Sequence, residues 1–208
     1  MGYTNLEKRP WRSQTARIKR FIQHPLYSPR QTHARDIALV QLQRAVQFSS
    51  VVRPVSLPPP SFQMQPLGEC WITGWGQVQD EDDPVKTLQE AQVFIVNNTY
   101  CQLYLSQALP FHRETLCAAN WKDKAMACLG DSGGPLVCEV NRTWLQLGVV
   151  SRGRVCLPSA APNVYTRVSH FSDWIAENVA AAQDAQAQAV PSPLALLLPP
   201  LLQLLLSL

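Results

Sequence analysis

This 208-residue sequence lacks a clustered basic face, a metal-binding cysteine pattern and an apolar run at its N-terminus. Its 18 basic and 15 acidic residues are scattered along the chain without the clustered basic face of a nucleic-acid binder, so no nucleic-acid partner is expected. Its cysteines form no CxxC pair with a matching histidine cluster, so no metal site and no cofactor is expected. Residues 1–10 contain no apolar run of the length that a signal peptide needs.

The composition nevertheless favours a folded, exported protein. Hydrophobic residues make up 46% of the chain, which is enough to bury a substantial core. Six cysteines without a metal pattern favour disulfides formed in an oxidising compartment. Two N-glycosylation sequons begin at Asn97 and Asn141. We therefore expect an extracellular or cell-surface location, on condition that a signal peptide exists upstream of Met1.

Short apolar runs separated by turn residues dominate from Ile18 to Val168. This spacing predicts an all-β sandwich or barrel. After the strands the hydrophobic period changes, and four side chains share one helical face with Ser169 as the predicted N-cap. These four are Phe171, Trp174, Ile175 and Val179. One C-terminal helix is therefore expected.

The C-terminal part of the sequence changes character. Residues 180–192 are predicted to be a linker or spacer, and residues 193–208 form an uncharged, Leu-rich tail. Small residues, a spacer and a terminal hydrophobic tail are the layout of a glycolipid-anchor signal, which predicts membrane attachment through this tail. A disordered or weakly membrane-associated tail is the alternative. Pro199, Pro200 and Gln203 interrupt the tail, which is too short for a transmembrane helix.

The stretch Gly130 to Pro135 (GDSGGP) carries the most chemical information. A serine hydroxyl is a poor nucleophile, so acyl transfer needs an exposed Oγ, a base that accepts its proton and N–H donors aimed at the developing oxyanion. A turn flanked by glycines can present both the hydroxyl and the N–H groups. A turn that merely links two strands is the alternative.

Four motifs together resemble the trypsin/chymotrypsin family of serine proteases. They are Asp36 to Val40 (DIALV), Thr73 to Gly76 (TGWG), Gly130 to Pro135 and Pro162 to Val168 (PNVYTRV), in the family's order and rough spacing. The resemblance covers nearly everything before the tail and is closest to glycolipid-anchored members. It implies an all-β chymotrypsin-like domain over residues 1–179, with two β-barrels and a C-terminal helix. Because the chain begins late in the family pattern, the first barrel is expected to be incomplete.

The resemblance also assigns roles to matching residues. It implies that Ser132 is the nucleophile, that Asp36 is the buried carboxylate that orients the base, and that the N–H groups of Gly130 and Ser132 form the oxyanion hole. The disulfides that it implies are Cys70 with Cys138, Cys101 with Cys117, and Cys128 with Cys156.

The resemblance places the specificity pocket at six residues, namely Met126, Ala127, Ser151, Arg152, Gly153 and Asn163. Met126 stands on the pocket floor where a trypsin-like enzyme has aspartate, so a basic substrate side chain would find no countercharge. Arg152 and Asn163 replace smaller or differently shaped residues and add bulk. An ordinary pocket for small or apolar side chains and a blocked pocket are both open.

Two family features are missing from the sequence. No Ala-Ala-His-Cys stretch supplies the catalytic histidine, and no Ile-Val-Gly-Gly start supplies the freed amine that pairs with the aspartate before the nucleophile, here Asp131. His24, His112 and His170 are predicted to be surface residues. His33 lies three residues before Asp36 and would point to the opposite face of an extended segment.

One interpretation is a misfolding fragment without function, because the missing strands of the first barrel would expose strand edges and core. If the chain folds, two interpretations of function remain. One is a serine-type endopeptidase by family, inactive in this truncated form. The other is a non-catalytic protease homologue that acts as a binding or decoy module. Either would engage a protein or peptide substrate or inhibitor, and a monomer is expected.

The tail prediction can be tested on cells. If the chain is expressed behind a supplied signal peptide, it should reach the cell surface and be released by a phosphatidylinositol-specific phospholipase, because that enzyme cleaves the glycolipid. The same chain without a signal peptide should show no surface display. Retention on the cell after phospholipase treatment would favour a plain hydrophobic anchor instead.

Overall fold

The structure is a computed structural model that describes residues 1–29, 34–63, 69–78, 85–104, 113–152 and 162–188. The chain divides into two compact units, Met1–Ser172 and Asp173–Leu208. The first unit contains all the strands and every predicted site residue that is described. The Leu-rich tail, residues 193–208, lies outside the described residues.

The described residues of the first unit contain eight strands. Strands β1 (Ile18–Gln23) and β2 (Ala38–Leu42) pair as an antiparallel, two-stranded sheet. The other six close an antiparallel barrel in the order β3-β4-β5-β8-β7-β6. Their bounds are β3 Cys70–Gly74, β4 Gln89–Val96, β5 Thr115–Ala119, β6 Pro135–Val140, β7 Thr143–Arg152 and β8 Asn163–Arg167. Helix α1 (Asn98–Tyr104) connects β4 to β5.

The barrel closes because its strands have apolar side chains at the inward positions. In β6, Leu136 and Cys138 are fully buried, while the residues between and after them are more exposed. The longest strand, β7, contributes Leu147 and Val150 to the same core. Tyr165 of β8 lies among them with no exposed surface. The short apolar runs that predicted strands therefore supply side chains to the barrel interior.

The all-β prediction is confirmed, including the incomplete first barrel. Among the described residues, the part of the chain before β3 forms only the two-stranded sheet, not a second closed barrel. One face of this sheet is uncovered: Phe21 and Val40 are cross-strand partners, and they are 69% and 49% exposed. An apolar pair of this exposure marks the face where a complete barrel would have further strands.

Two of the three predicted disulfides are present. Cys70 of β3 is paired in register with Cys138 of β6, and their Cα atoms are 4.0 Å apart. The second disulfide joins Cys101 of α1 to Cys117 of β5, with Cα atoms 6.2 Å apart. The third predicted pair stays a prediction because Cys156 lies outside the described residues.

The C-terminal helix exists, but its start and end differ from the prediction. Ser169 is not an N-cap: it is buried within a 3₁₀ turn, Val168–Phe171, which leads directly into α2 (Ser172–Gln188). The helix continues nine residues past Val179, so residues 180–188 of the predicted linker are helical. Alanine dominates this stretch and has the highest helix propensity. No helix in the described residues is long and apolar enough to cross a membrane.

Removal of each observed disulfide should cost stability, and the cost should rise with the logarithm of the length of the loop that the disulfide closes. The pairs are separated by 68 and 16 residues. Chain-entropy arguments give a loss of about 4 kcal/mol for Cys70→Ala/Cys138→Ala and about 3 kcal/mol for Cys101→Ala/Cys117→Ala. Guanidinium unfolding without reductant measures both. Peptide mapping should also find Cys128 joined to Cys156, and a different major pairing would contradict the fold.

Candidate active site

The GDSGGP segment forms a tight turn that presents Ser132 to solvent. Gly130 and Gly133 have φ values of 98° and 83°, a region of backbone conformation that favours glycine. Two backbone hydrogen bonds tie the turn to strand β7: Gly133 N donates to Val150 O (2.8 Å), and Val150 N donates to Gly134 O (2.9 Å). The glycines in the motif are therefore required by the backbone that exposes the hydroxyl.

Asp36 lies just before β2, and its side chain is beside Ser151 of β7. Its carboxylate Oδ2 accepts a hydrogen bond from Ser151 Oγ at 2.7 Å. Its backbone carbonyl accepts a second bond from Thr166 Oγ1, also at 2.7 Å. The carboxylate is thus held by β7 and its backbone by β8, on the barrel that also positions the Ser132 turn. These contacts link the two residues predicted to act in catalysis through one strand.

Asp131 has hydrogen-bond partners that the sequence did not predict. Its Oδ1 accepts from Gly76 N (2.8 Å) and its Oδ2 from Cys128 N (2.9 Å). A Cβ at Gly74 or Gly76 would collide with this carboxylate, which explains both glycines of the TGWG motif. The freed amine that the family pairs with this aspartate is not among these contacts, and two backbone amides bond the carboxylate instead.

A cavity of about 240 Å³ lies against Asp131. Apolar side chains from β3, β4 and β7 form part of its wall, and Asp131 supplies a carboxylate. Met126 and Ala127, two of the predicted pocket residues, line this cavity. The lining residues are Ile72, Thr73, Gly74, Gly76, Gln77, Val78, Gln89, Glu90, Ala91, Asp123, Lys124, Ala125, Met126, Ala127, Cys128, Asp131 and Val150.

Asn163, the first residue of β8, is bonded across to the Met126–Ala127 segment. Its Oδ1 accepts from Ala127 N (3.0 Å), and its Nδ2 donates to Ala127 O (3.1 Å). Asn163 is 3% exposed and Ala127 is 5% exposed. The buried amide of Asn163 therefore joins two predicted pocket residues, Asn163 and Ala127, through two hydrogen bonds.

Arg152 ends β7 next to Ser151, and its side chain is partly buried. Burial lowers the pKa of this guanidinium, and the carboxylates of Asp36 and Glu114 partly oppose the change. Glu114 is itself buried and accepts a hydrogen bond from Arg35 N through Oε1 at 2.7 Å. A positive charge thus lies within electrostatic reach of Asp36. Gly153, the sixth predicted pocket residue, lies outside the described residues.

Two of the four histidines, His24 and His170, are among the described residues. His24 is half-buried, and its ring is edge-on to Phe171 at 5.3 Å between centroids. Burial, followed by the nearby charge of Arg35, lowers the pKa of His24. His170 is exposed, as predicted. His33 and His112 lie outside the described residues.

Both sequons lie at exposed asparagines. Asn141 has a φ of 50° in the turn between β6 and β7. Asn97 precedes α1, and its Oδ1 accepts a hydrogen bond from Thr99 N at 2.8 Å. Exposure is what a glycan requires, and glycosylation itself stays a prediction.

Comparison with known proteins agrees with this geometry. The sequence profile described as "Trypsin" matches residues 1–175. The chain belongs to the trypsin family. It is 36% identical to human testisin over 189 residues, which are 88% of this chain and 60% of testisin, so it spans about three fifths of that relative's length. Trypsin-family proteases bind protein substrates or inhibitors and are commonly extracellular or at the cell surface.

Sequence reasoning missed several residues of this trypsin-family site. Glu114 belongs to no motif, so nothing in the sequence signalled its contact with Arg35. Thr166 lies inside the PNVYTRV motif, which could have suggested a role. Tyr165 is fully buried, and its hydroxyl has no hydrogen-bond partner among the described residues. Burial and then the charge of Asp131 raise the pKa of this phenol, which therefore stays protonated at neutral pH.

The contribution of the hydrogen bonds between Asn163 and Ala127 should be measurable as a change in the free energy of unfolding. Asn163→Ala leaves the buried N–H and C=O of Ala127 without partners, so we expect a loss of about 2–4 kcal/mol in the free energy of unfolding. Asn178→Ala is the matched control, because Asn178 bonds only to Trp174 O within α2. That control should change stability by about 0.5 kcal/mol or less. Equal losses of unfolding free energy in urea for the two variants would show that the hydrogen bonds between Asn163 and Ala127 do not contribute the expected stability.

Proposed function

We propose that this chain carries the nucleophile half of a serine-type endopeptidase that works through an acyl-enzyme. The observation that supports this most is the shared strand. Val150 bonds the Ser132 turn, and the next residue, Ser151, bonds the Asp36 carboxylate. A turn that only linked two strands would not need an aspartate connected to it in this way.

In the proposed reaction, Ser132 Oγ attacks the substrate carbonyl carbon while a base takes its proton. The carbonyl oxygen becomes an oxyanion that accepts hydrogen bonds from the N–H groups of Gly130 and Ser132. Expulsion of the amine, which takes up the proton, leaves an ester on Ser132, and water then hydrolyses that ester. Asp36 orients the base and stabilises its protonated form.

The base is the part that these 208 residues do not supply. In the trypsin family it is an imidazole, and no sequence here matches the family's histidine motif. Loss of the base from a serine protease leaves only the catalysis supplied by binding and the oxyanion hole, a fall on the order of a millionfold. We therefore propose that the 208-residue chain by itself is inactive.

Specificity follows from Met126 and Asn163 in this proposal. A basic substrate side chain would find no aspartate at Met126. The bridge from Asn163 to Ala127 takes up buried space beside it. Both features support a preference for small or uncharged side chains over Arg and Lys.

The same bridge supports a second candidate function, a non-catalytic homologue that binds a protein or inhibitor without cleaving it. If Asn163 fills the pocket, a substrate side chain has no place to enter. The two candidates differ in one observable, which is whether Ser132 becomes reactive once a histidine is supplied.

We further propose secretion and attachment through the tail. Two disulfides support an oxidising compartment. The composition of residues 193–208 supports a glycolipid-anchor signal. These features favour a secreted protein that is attached to the membrane.

The catalytic proposal predicts the behaviour of two forms. The purified 208-residue chain should neither hydrolyse peptide esters above background nor react with a fluorophosphonate probe. A form extended upstream with the family's activation site and histidine should be labelled, and it should cleave after small or uncharged residues.

Ser132→Ala in the extended form is the control and should abolish labelling. Ser132-dependent labelling of the unextended chain would contradict the proposed inactivity and would indicate another base. An extended form that folds, yet is never labelled, would instead favour the non-catalytic homologue.

A further inference from the structure

The basic residues are concentrated in the N-terminal part of the chain, which the small net charge of the whole chain conceals. Residues 1–53 contain 10 of the 18 basic residues and 2 of the 15 acidic ones, a net charge of +8. The other 155 residues contain 8 basic and 13 acidic residues, a net charge of −5. The sequence interpretation that charges are scattered is therefore wrong for this segment. A contrast of this size within one chain indicates an electrostatic partner for the basic part.

The basic side chains of this segment are at the surface. Eight of them are described and exposed, namely Lys8, Arg9, Arg12, Arg17, Lys19, Arg20, Arg44 and Arg53. The two acidic residues are occupied elsewhere: Glu7 pairs with Lys86 at 2.7 Å, and Asp36 is bonded to Ser151. No carboxylate of the described residues lies within ion-pair distance of the eight.

Two grooves are formed among these residues, and no acidic residue lines either one. The first has a volume of about 740 Å³ and is lined by Lys8 and Arg9, with Tyr3 and Asn5. The second, of about 370 Å³, is lined by Arg17 and Arg44. An anion could therefore bind in a concave, positively charged site and not only on a flat surface.

Aromatic rings orient two of the guanidinium groups. Arg9 lies over the Tyr3 ring at 5.5 Å, and Arg12 lies over the Trp11 ring at 4.7 Å. Trp11 is 87% exposed, so this stack is at the surface. A guanidinium stacked on a ring keeps its N–H edge available for bidentate bonds to an oxyanion.

From these observations we propose that residues 1–53 form a binding surface for a sulfated glycosaminoglycan. The repeated sulfates of such a chain match several arginines spread over two grooves, and the location common to the trypsin family exposes the surface to sulfated glycans. None of the residues that line the two grooves is a proposed catalytic residue, so the inference rests on the proposed extracellular location and not on the proposed catalysis.

The test measures the affinity of the 208-residue chain for a heparin dodecasaccharide as a function of salt. Lys8→Gln/Arg9→Gln/Arg12→Gln removes three charges around the first groove. Arg113→Gln/Lys122→Gln/Arg142→Asn removes three exposed charges elsewhere and is the matched control. Because counterion release scales with the number of ionic contacts, the first variant should bind about tenfold or more weakly at physiological salt, with a shallower salt dependence. The control should bind within about twofold of the parent chain.

A second variant, Arg17→Gln/Arg44→Gln, tests the other groove and should also weaken binding by several fold. Thermal unfolding confirms that each variant is folded. The proposal is overturned if the parent chain does not bind heparin at physiological salt, or if the test and control variants weaken equally. It is also overturned if a DNA duplex of matched charge binds more tightly than heparin, which would identify a nucleic acid as the partner class.

Discussion

The pair of backbone hydrogen bonds between the Ser132 turn and Val150 is the constraint on which the site depends. Val150 belongs to β7, which pairs with β6 on one side and β8 on the other, so its position is set by the closed barrel. The turn cannot shift without loss of these bonds, and Ser151 carries the same constraint on to Asp36. A flexible surface loop could not hold a nucleophile at a fixed distance from its partners.

Buried polar groups around the turn are satisfied mainly by backbone atoms. Asp131 bonds to two amides, Asn163 bonds to both polar atoms of Ala127, and Glu114 bonds to Arg35 N. Burial of such groups without partners costs free energy, so these contacts also restrict the backbone to one arrangement. The hydroxyl of Tyr165 has no hydrogen-bond partner among the described residues, and it lies within electrostatic reach of Asp131.

The closed barrel and the two-stranded sheet of the first unit differ in how far they bury their apolar side chains. The closed barrel has no free strand edge and buries its apolar residues, with Cys70–Cys138 joining β3 to β6. The two-stranded sheet leaves Phe21 and Val40 exposed, and its surroundings concentrate positive charge. Stability therefore resides in the barrel, while the N-terminal part offers surface for contact with other molecules.

The sequence by itself determined the fold class, because short apolar runs and the turn residues between them are local properties of the chain, and it contained the motifs whose resemblance to the trypsin family implied the two observed disulfides. It also indicated Ser132 and Asp36. Only the tertiary structure decided that Gly76 bonds to Asp131 and that Asn163 bridges to Ala127. The partners lie 55 and 36 residues apart in sequence, and no local pattern encodes contacts over such separations.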